Sequence, residues 1–143
     1  MKNDQPSLGT DEDGKVFAQQ LVSVGDVGHL LWTRSLLKPW QLLSHLPLIR
    51  KGFPALTPEH FALMMSSHNA EPHHLELLKE IAKIGNLDQC QLKCPPSYPL
   101  SQQMRLKLQA EGVAPKPLFH NCSGKHFSYL LDVKLRGGDP ERY

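Results

Sequence analysis

At 143 residues and 40% hydrophobic, the chain is long enough for one domain with a buried core and too short for two ordinary ones. Its net charge of +2 is spread along the sequence without aromatic residues interleaved among the basic ones, which argues against a nucleic-acid surface. Three cysteines, Cys90, Cys94 and Cys122, fit neither a disulfide framework nor a paired zinc knuckle, and no apolar stretch is long enough for a signal peptide or a bilayer span, so a soluble, cytoplasmic protein with no membrane partner is expected.

Residues 1–12 are polar, with Pro6, Gly9 and three acids, and read as a disordered leader before a domain over 13–143. Asp13-Gly14 is a turn signal, and Val16, Leu21, Val22 and Val24 predict a strand from about 15 to 24, closed by a turn at Gly25-Asp26. From Ser35 the pattern becomes helical. Leu36, Leu37, Trp40, Leu43 and Leu46 recur at three- and four-residue intervals until Pro47 stops the pattern. Pro39 disfavours helix at Lys38, which puts Ser35 at a tight helical start.

Thr57-Pro58-Glu59 opens a short helix through Phe61, Met64 and Met65 and delivers the chain to Ser66-Ser67-His68-Asn69. Glu71-Pro72 opens the clearest helix, with Leu75, Leu78, Ile81 and Ala82 on one face and Gly85-Asn86 as its stop. Cys94 to Pro99 forms a stiff proline loop, Ser101 caps a helix carrying Met104 and Leu108, and Ala114 to Pro117 is a second rigid loop. Ser123 or Gly124 starts a last helix through Phe127, Leu130 and Leu131, ending before Gly137-Gly138.

Several constellations could carry chemistry. A serine three residues before a lysine on a helix faces it across one turn, so Lys38 is placed to take the Ser35 hydroxyl proton while the oxygen attacks an amide carbonyl. The spacing is common, and alone it decides little. Cys122 and Lys125 share that spacing at a helix start, where the helix dipole and an ammonium favour a reactive or metal-bound thiolate; the competing reading is a half-buried thiol beside a solvated lysine. As a zinc site, His120, Cys122 and His126 lack a second cysteine. Gly124-Lys125 is not a phosphate loop, because Phe119 replaces the earlier glycine and His126 the hydroxyl that would hold magnesium. His73 and His74 read as solvent-facing. Ser67 is either a helix cap before Glu71 or a second hydroxyl of the site.

Three segments, Arg34-Ser35-Leu36-Leu37-Lys38-Pro39-Trp40-Gln41, Ser67-His68-Asn69-Ala70-Glu71-Pro72 and His120-Asn121-Cys122-Ser123-Gly124-Lys125-His126, together resemble the bacterial L-asparaginase II family related to the Rhizobium-type enzymes. The resemblance implies an α/β, serine-β-lactamase-like fold, here a helix-rich fragment with an incomplete antiparallel sheet, and hydrolysis of L-asparagine to L-aspartate and ammonia. It implies catalytic roles for Ser35, Lys38 and Ser67, positions near the substrate for Arg34, His68 and His126, and zinc ligation by Cys122 and Lys125. Family members read Ser-His-Ser-Gly-Glu where this chain has Ser67-His68-Asn69-Ala70-Glu71. They also continue past the position of Tyr143, so the resemblance implies a domain truncated at its C-terminus, an incomplete zinc site, and an open sheet edge suited to a homo-oligomer. The alternative is a non-catalytic remnant that acts as a binding or interaction protein. A penicillin-recognising Ser–Lys enzyme is a more distant reading, since neither Ser-Asp-Asn nor Lys-Thr-Gly follows.

Overall fold

Helix dominates the computed structural model, which describes residues 9–10, 16–17, 24–26 and 28–143. Backbone contacts divide the chain into two units, Met1–Trp32 and Thr33–Tyr143. In the first, β1 (Gly9–Thr10) pairs antiparallel with β2 (Val16–Phe17), placing Gly9 opposite Phe17 and Thr10 opposite Val16. Gly9 and Thr10, expected within a leader, are therefore part of a ladder. β2 lies inside the strand expected over 15–24; residues 18–23, and the turn signal at Asp13-Gly14, lie outside the described residues. At the second turn signal, Gly25 has φ +76° and the Asp26 carboxylate accepts the Gly28 N–H at 3.0 Å. The local side-chain acceptor is what makes aspartate a turn former. Beyond this two-residue pair, the expected antiparallel sheet is not seen among the described residues.

The second unit is a set of helices. The pattern expected from Ser35 to Pro47 divides into a 3-10 turn, Arg34–Leu37, and helix α1, Lys38–Leu43. After a turn at Ser44-His45 comes α2, Leu46–Gly52. Pro47 does not stop a helix but sits in the first turn of α2, where its missing N–H leaves no intrahelical bond unmade. Then follow α3 (Pro58–Met65), α4 (Pro72–Gly85), α5 (Gln102–Ala110) and α6 (Ser123–Leu135).

Helix α4 ends where Asn86 turns left-handed, at φ +47°, and the Lys134 ammonium of α6 donates to the carbonyls of Gly85 and Asn86 at 2.8 and 2.9 Å. Those are carbonyls that a helix end leaves without intrahelical partners, and a cation suits that end of the dipole. Leu78, Ile81 and Ala82 face inward with Leu63 and Met64 of α3 and Phe127, Leu130 and Leu131 of α6. Burying each large side chain stabilises the unit by roughly 1.5–3 kcal/mol. The two proline loops expected to be stiff run antiparallel where Ser97 and Lys116 exchange both backbone hydrogen bonds at 3.3 Å.

Helix α6 lies against α2, α3 and α4, and at Gly124 it comes close to the backbone of α3. A Cβ there would stand 2.6 Å from the Leu63 carbonyl oxygen, inside any tolerable contact. Glycine is needed so that the backbone of α6 can rest directly on α3. This packing brings the start of α6 beside the end of α3, from which the chain continues to Ser66 and Ser67.

Helix α1 is inverted. Its polar Lys38 is 3% exposed and faces inward with Leu42, while Trp40 at 69% and Leu43 lie outside, as does Leu36 of the preceding turn at 72%. Among the described residues, no helix is long and apolar enough to cross a membrane.

Candidate active site

Lys38 is buried, and its ammonium needs acceptors to replace the water it has lost. It finds two at the end of α3, donating to the Ser66 carbonyl at 2.7 Å and to Ser67 Oγ at 2.8 Å. Ser67 Oγ in turn lies 3.0 Å from Ser35 Oγ. The order of contact is thus Lys38, Ser67, Ser35. The one-turn spacing suggests a direct Ser35–Lys38 contact, but Ser35 sits in the 3-10 turn and Lys38 begins the α-helix, so the amine reaches across to the neighbouring loop instead. Ser67 does not cap α4, whose N-cap position is held by Glu71.

Both serines are exposed, whereas the amine beneath them is not. Each stands near a non-glycine residue in left-handed backbone: Arg34, at φ +47°, directly precedes Ser35, and Ala70, at φ +52°, follows Ser67 by three positions. Such conformations cost on the order of 1–3 kcal/mol and persist only where the surroundings impose them. The Arg34 side chain is exposed and makes no hydrogen bond or ion pair among the described residues. Ala70 is fully buried against Leu108 and Phe119, so the methyl group that stands where the family pattern has glycine occupies a packed niche.

His68 ties the Ser67 loop to the segment before α6. Its N–H donates to the Asn121 carbonyl at 3.2 Å. The Ala70 N–H donates to Nδ1 at 3.1 Å, so that nitrogen is unprotonated and the proton is on Nε2, 2.7 Å from Ser123 Oγ. Ser123 passes its own proton to the Leu118 carbonyl at 3.1 Å. Both ring nitrogens are therefore engaged by the protein. Burial, then the charges of His74, Lys38 and His120, lower the pKa of His68 to about 4, which keeps it neutral.

The third segment joins the same neighbourhood. His120 accepts the Cys122 N–H on Nδ1 at 3.1 Å, and its pKa is lowered by burial and by the positive charges of Lys38 and Lys125. His126 is brought down to about 4 by burial and by Lys125, His120 and Lys38. The fields of Lys38 and Lys125 converge on these imidazoles. Lys125 Nζ also lies 5.8 Å over the Tyr129 ring, a cation–π distance. The result is a cluster of positive charge and neutral imidazole beside two open hydroxyls, suited to an anionic ligand or a developing oxyanion.

Cys122 is half-buried at the N-cap of α6, with its thiol 3.7 Å from Asn121 Oδ1. Cys94, the nearest candidate for a second thiolate, donates its S–H to the Pro117 carbonyl at 3.3 Å and has its pKa pushed up to about 11, chiefly by burial. It is a protonated, structural cysteine. Among the described residues, no three His, Cys, Asp or Glu side chains gather as metal ligands. Cys122 and Lys125 do not by themselves close a zinc centre.

Sequence reasoning missed the Ser66 carbonyl, which carries no side-chain signal, and the role of Ser123, whose position beside Cys122 offered only a helix start. It also missed Tyr143, considered below.

Two exposed serine hydroxyls linked to a buried lysine are an arrangement of the kind that serine–lysine acyl transfer uses. The family model for L-asparaginase II matches residues 8–143, and the chain belongs to that family. A comparison with curated proteins finds no match.

Proposed function

We propose that this chain supplies the serine–lysine half of an amidohydrolase site that converts L-asparagine to L-aspartate and ammonia. The observation that carries the reading is the Lys38–Ser67–Ser35 chain of contacts, at 2.8 and 3.0 Å. In the form in which the Lys38 ammonium has given up one proton to solvent, Ser35 Oγ attacks the side-chain amide carbon and its proton passes through Ser67 to that amine. The carbon–nitrogen bond then breaks, and ammonia leaves with the proton returned by Lys38. Water attacks the resulting ester by the same route, releasing L-aspartate and restoring the Ser35 hydroxyl.

Arg34, His126 and the surrounding positive charge would hold the substrate's carboxylate and the oxyanion. His68 serves by fixing the loop that carries Ser67. Zinc enters this reading only as an ion held weakly at Cys122 and Lys125, and no step is assigned to it. The wider architecture proposed is the α/β, serine-β-lactamase-like one, in a cytoplasmic protein.

The test is ammonia release from L-asparagine by the purified chain. Loss of essentially all activity in Ser35→Ala and Lys38→Ala, with a fall of about 10²–10⁴-fold in Ser67→Ala, supports the relay. Full activity in Ser35→Ala sinks it. No release at any protein concentration favours the second reading, a chain that binds without catalysing, for which the exposed apolar face formed by Leu36, Trp40 and Leu43 is the supporting observation.

A further inference from the structure

His126 sits among Lys38, His120 and Lys125 with two ring nitrogens in different situations. Nδ1 lies 3.0 Å from the Tyr143 hydroxyl, and the Tyr143 ring stands edge-on to the imidazole, with centroids 5.6 Å apart at 81°. Nε2 makes no hydrogen bond among the described residues. The Tyr143 oxygen also receives the backbone N–H of Lys93 at 2.7 Å. A backbone N–H can only donate, so this bond occupies an acceptor position of the phenol. Among the described residues, the only acceptor in reach of the phenolic proton is His126 Nδ1.

We propose that Tyr143, itself oriented by the Lys93 backbone, is a positioning residue that holds His126 in the Nε2–H tautomer, so that the imidazole presents a hydrogen-bond donor to the site. The segment bearing Tyr143 is held in place by the turn Pro140–Arg142, whose Asp139 carboxylate accepts the Glu141 N–H at 2.9 Å, and by an ion pair between Glu141 and Lys93. Two residues far apart in sequence, Lys93 and His126, thus converge on the one phenolic oxygen of Tyr143. Burial raises the Tyr143 pKa, which keeps its proton available to donate.

His68 is held in the same tautomer by the Ala70 N–H, but its Nε2–H goes to Ser123. One imidazole is thereby tied into the scaffold. The other is left with its donor free for a carbonyl or carboxylate oxygen.

The tautomer is readable without any activity. Two-bond proton–nitrogen NMR correlations on the ¹⁵N-labelled 143-residue chain at neutral pH, with His126 assigned through His126→Gln, report which nitrogen carries the proton. The expected result is a single Nε2–H tautomer, replaced in Tyr143→Phe by a mixture of both forms. A proton on Nδ1 in the unsubstituted chain overturns the proposal, as does an unchanged single tautomer in Tyr143→Phe.

The use made of the donor rests on the amidohydrolase reading. If it is used there, Tyr143→Phe lowers kcat for L-asparagine about tenfold with KM little changed, and His126→Gln, which keeps an amide N–H near the Nε2 position, retains more activity than His126→Asn. If the unsubstituted chain releases no ammonia, the amidohydrolase reading fails while the spectrum still decides the tautomer. Activity unaffected by Tyr143→Phe in an active chain overturns the positioning role.

Discussion

Helices α1 and α4 carry the same repeating apolar residues and turn them in opposite directions. In α4 the stripe of Leu78, Ile81 and Ala82 is inside and the charges are outside, as burial of apolar surface dictates. In α1 Trp40 and Leu43 face out, and a lysine occupies the interior beside Leu42. The difference teaches what each helix is for: α4 packs, whereas α1 holds an amine against the Ser66 carbonyl and the Ser67 hydroxyl.

The contrast can be broken by substitution. The largest effect should come from Ile81→Ala, which removes a side chain with no exposed surface and should destabilise the chain by about 2–5 kcal/mol in urea unfolding. Next comes pH, through the loop that α1 addresses. An unfolded histidine titrates near 6.5 and folded His68 near 4, so the unfolded state binds the extra proton between those values. The His68 contribution to stability should be constant above pH 6.5, fall by about 3 kcal/mol as pH drops to about 4, and level off below. A His68→Gln variant should flatten part of that slope, and a slope of the opposite sign would show that His68 is charged in the folded chain.

Ala70→Gly sets relief of left-handed strain against loss of a buried methyl group and a more flexible unfolded chain; a net change within about 1 kcal/mol is expected by thermal unfolding. The smallest effect belongs to Trp40→Ala, within about 0.5 kcal/mol despite the size of the side chain removed, because it is mostly exposed. A loss of several kcal/mol there would erase the distinction between the two helices.

The helices and their ends were legible because their signals are local. Thr57-Pro58, Glu71-Pro72, Gly85-Asn86 and Ser101 mark ends through neighbouring backbone groups, and α3, α4 and α5 follow those marks. The periodicity of Leu36, Trp40 and Leu43 revealed a face without revealing which way it turns, since that depends on an acceptor 28 residues away. Helix α2 escaped notice because Pro47 reads equally as a stop and as a start.

Three short motifs supplied the candidate site residues, but not their wiring. Nothing in the spacing of Ser35 and Lys38 says that Ser67 stands between them, and nothing near His126 in sequence points to Tyr143. Asn69-Ala70 was visible as a departure from the family pattern. That Ala70 keeps a left-handed backbone, with its methyl packed on Leu108 and Phe119, was not.

The contact at Gly124 carries a consequence for how this molecule can vary. With the α6 backbone resting on the Leu63 carbonyl, even one extra carbon would wedge the two helices apart and carry Cys122 and Lys125 away from the loop bearing Ser67. Distance between the thiol-bearing segment and the hydroxyl-bearing one is thus set by the absence of a side chain, and any drift in one must be matched by the other.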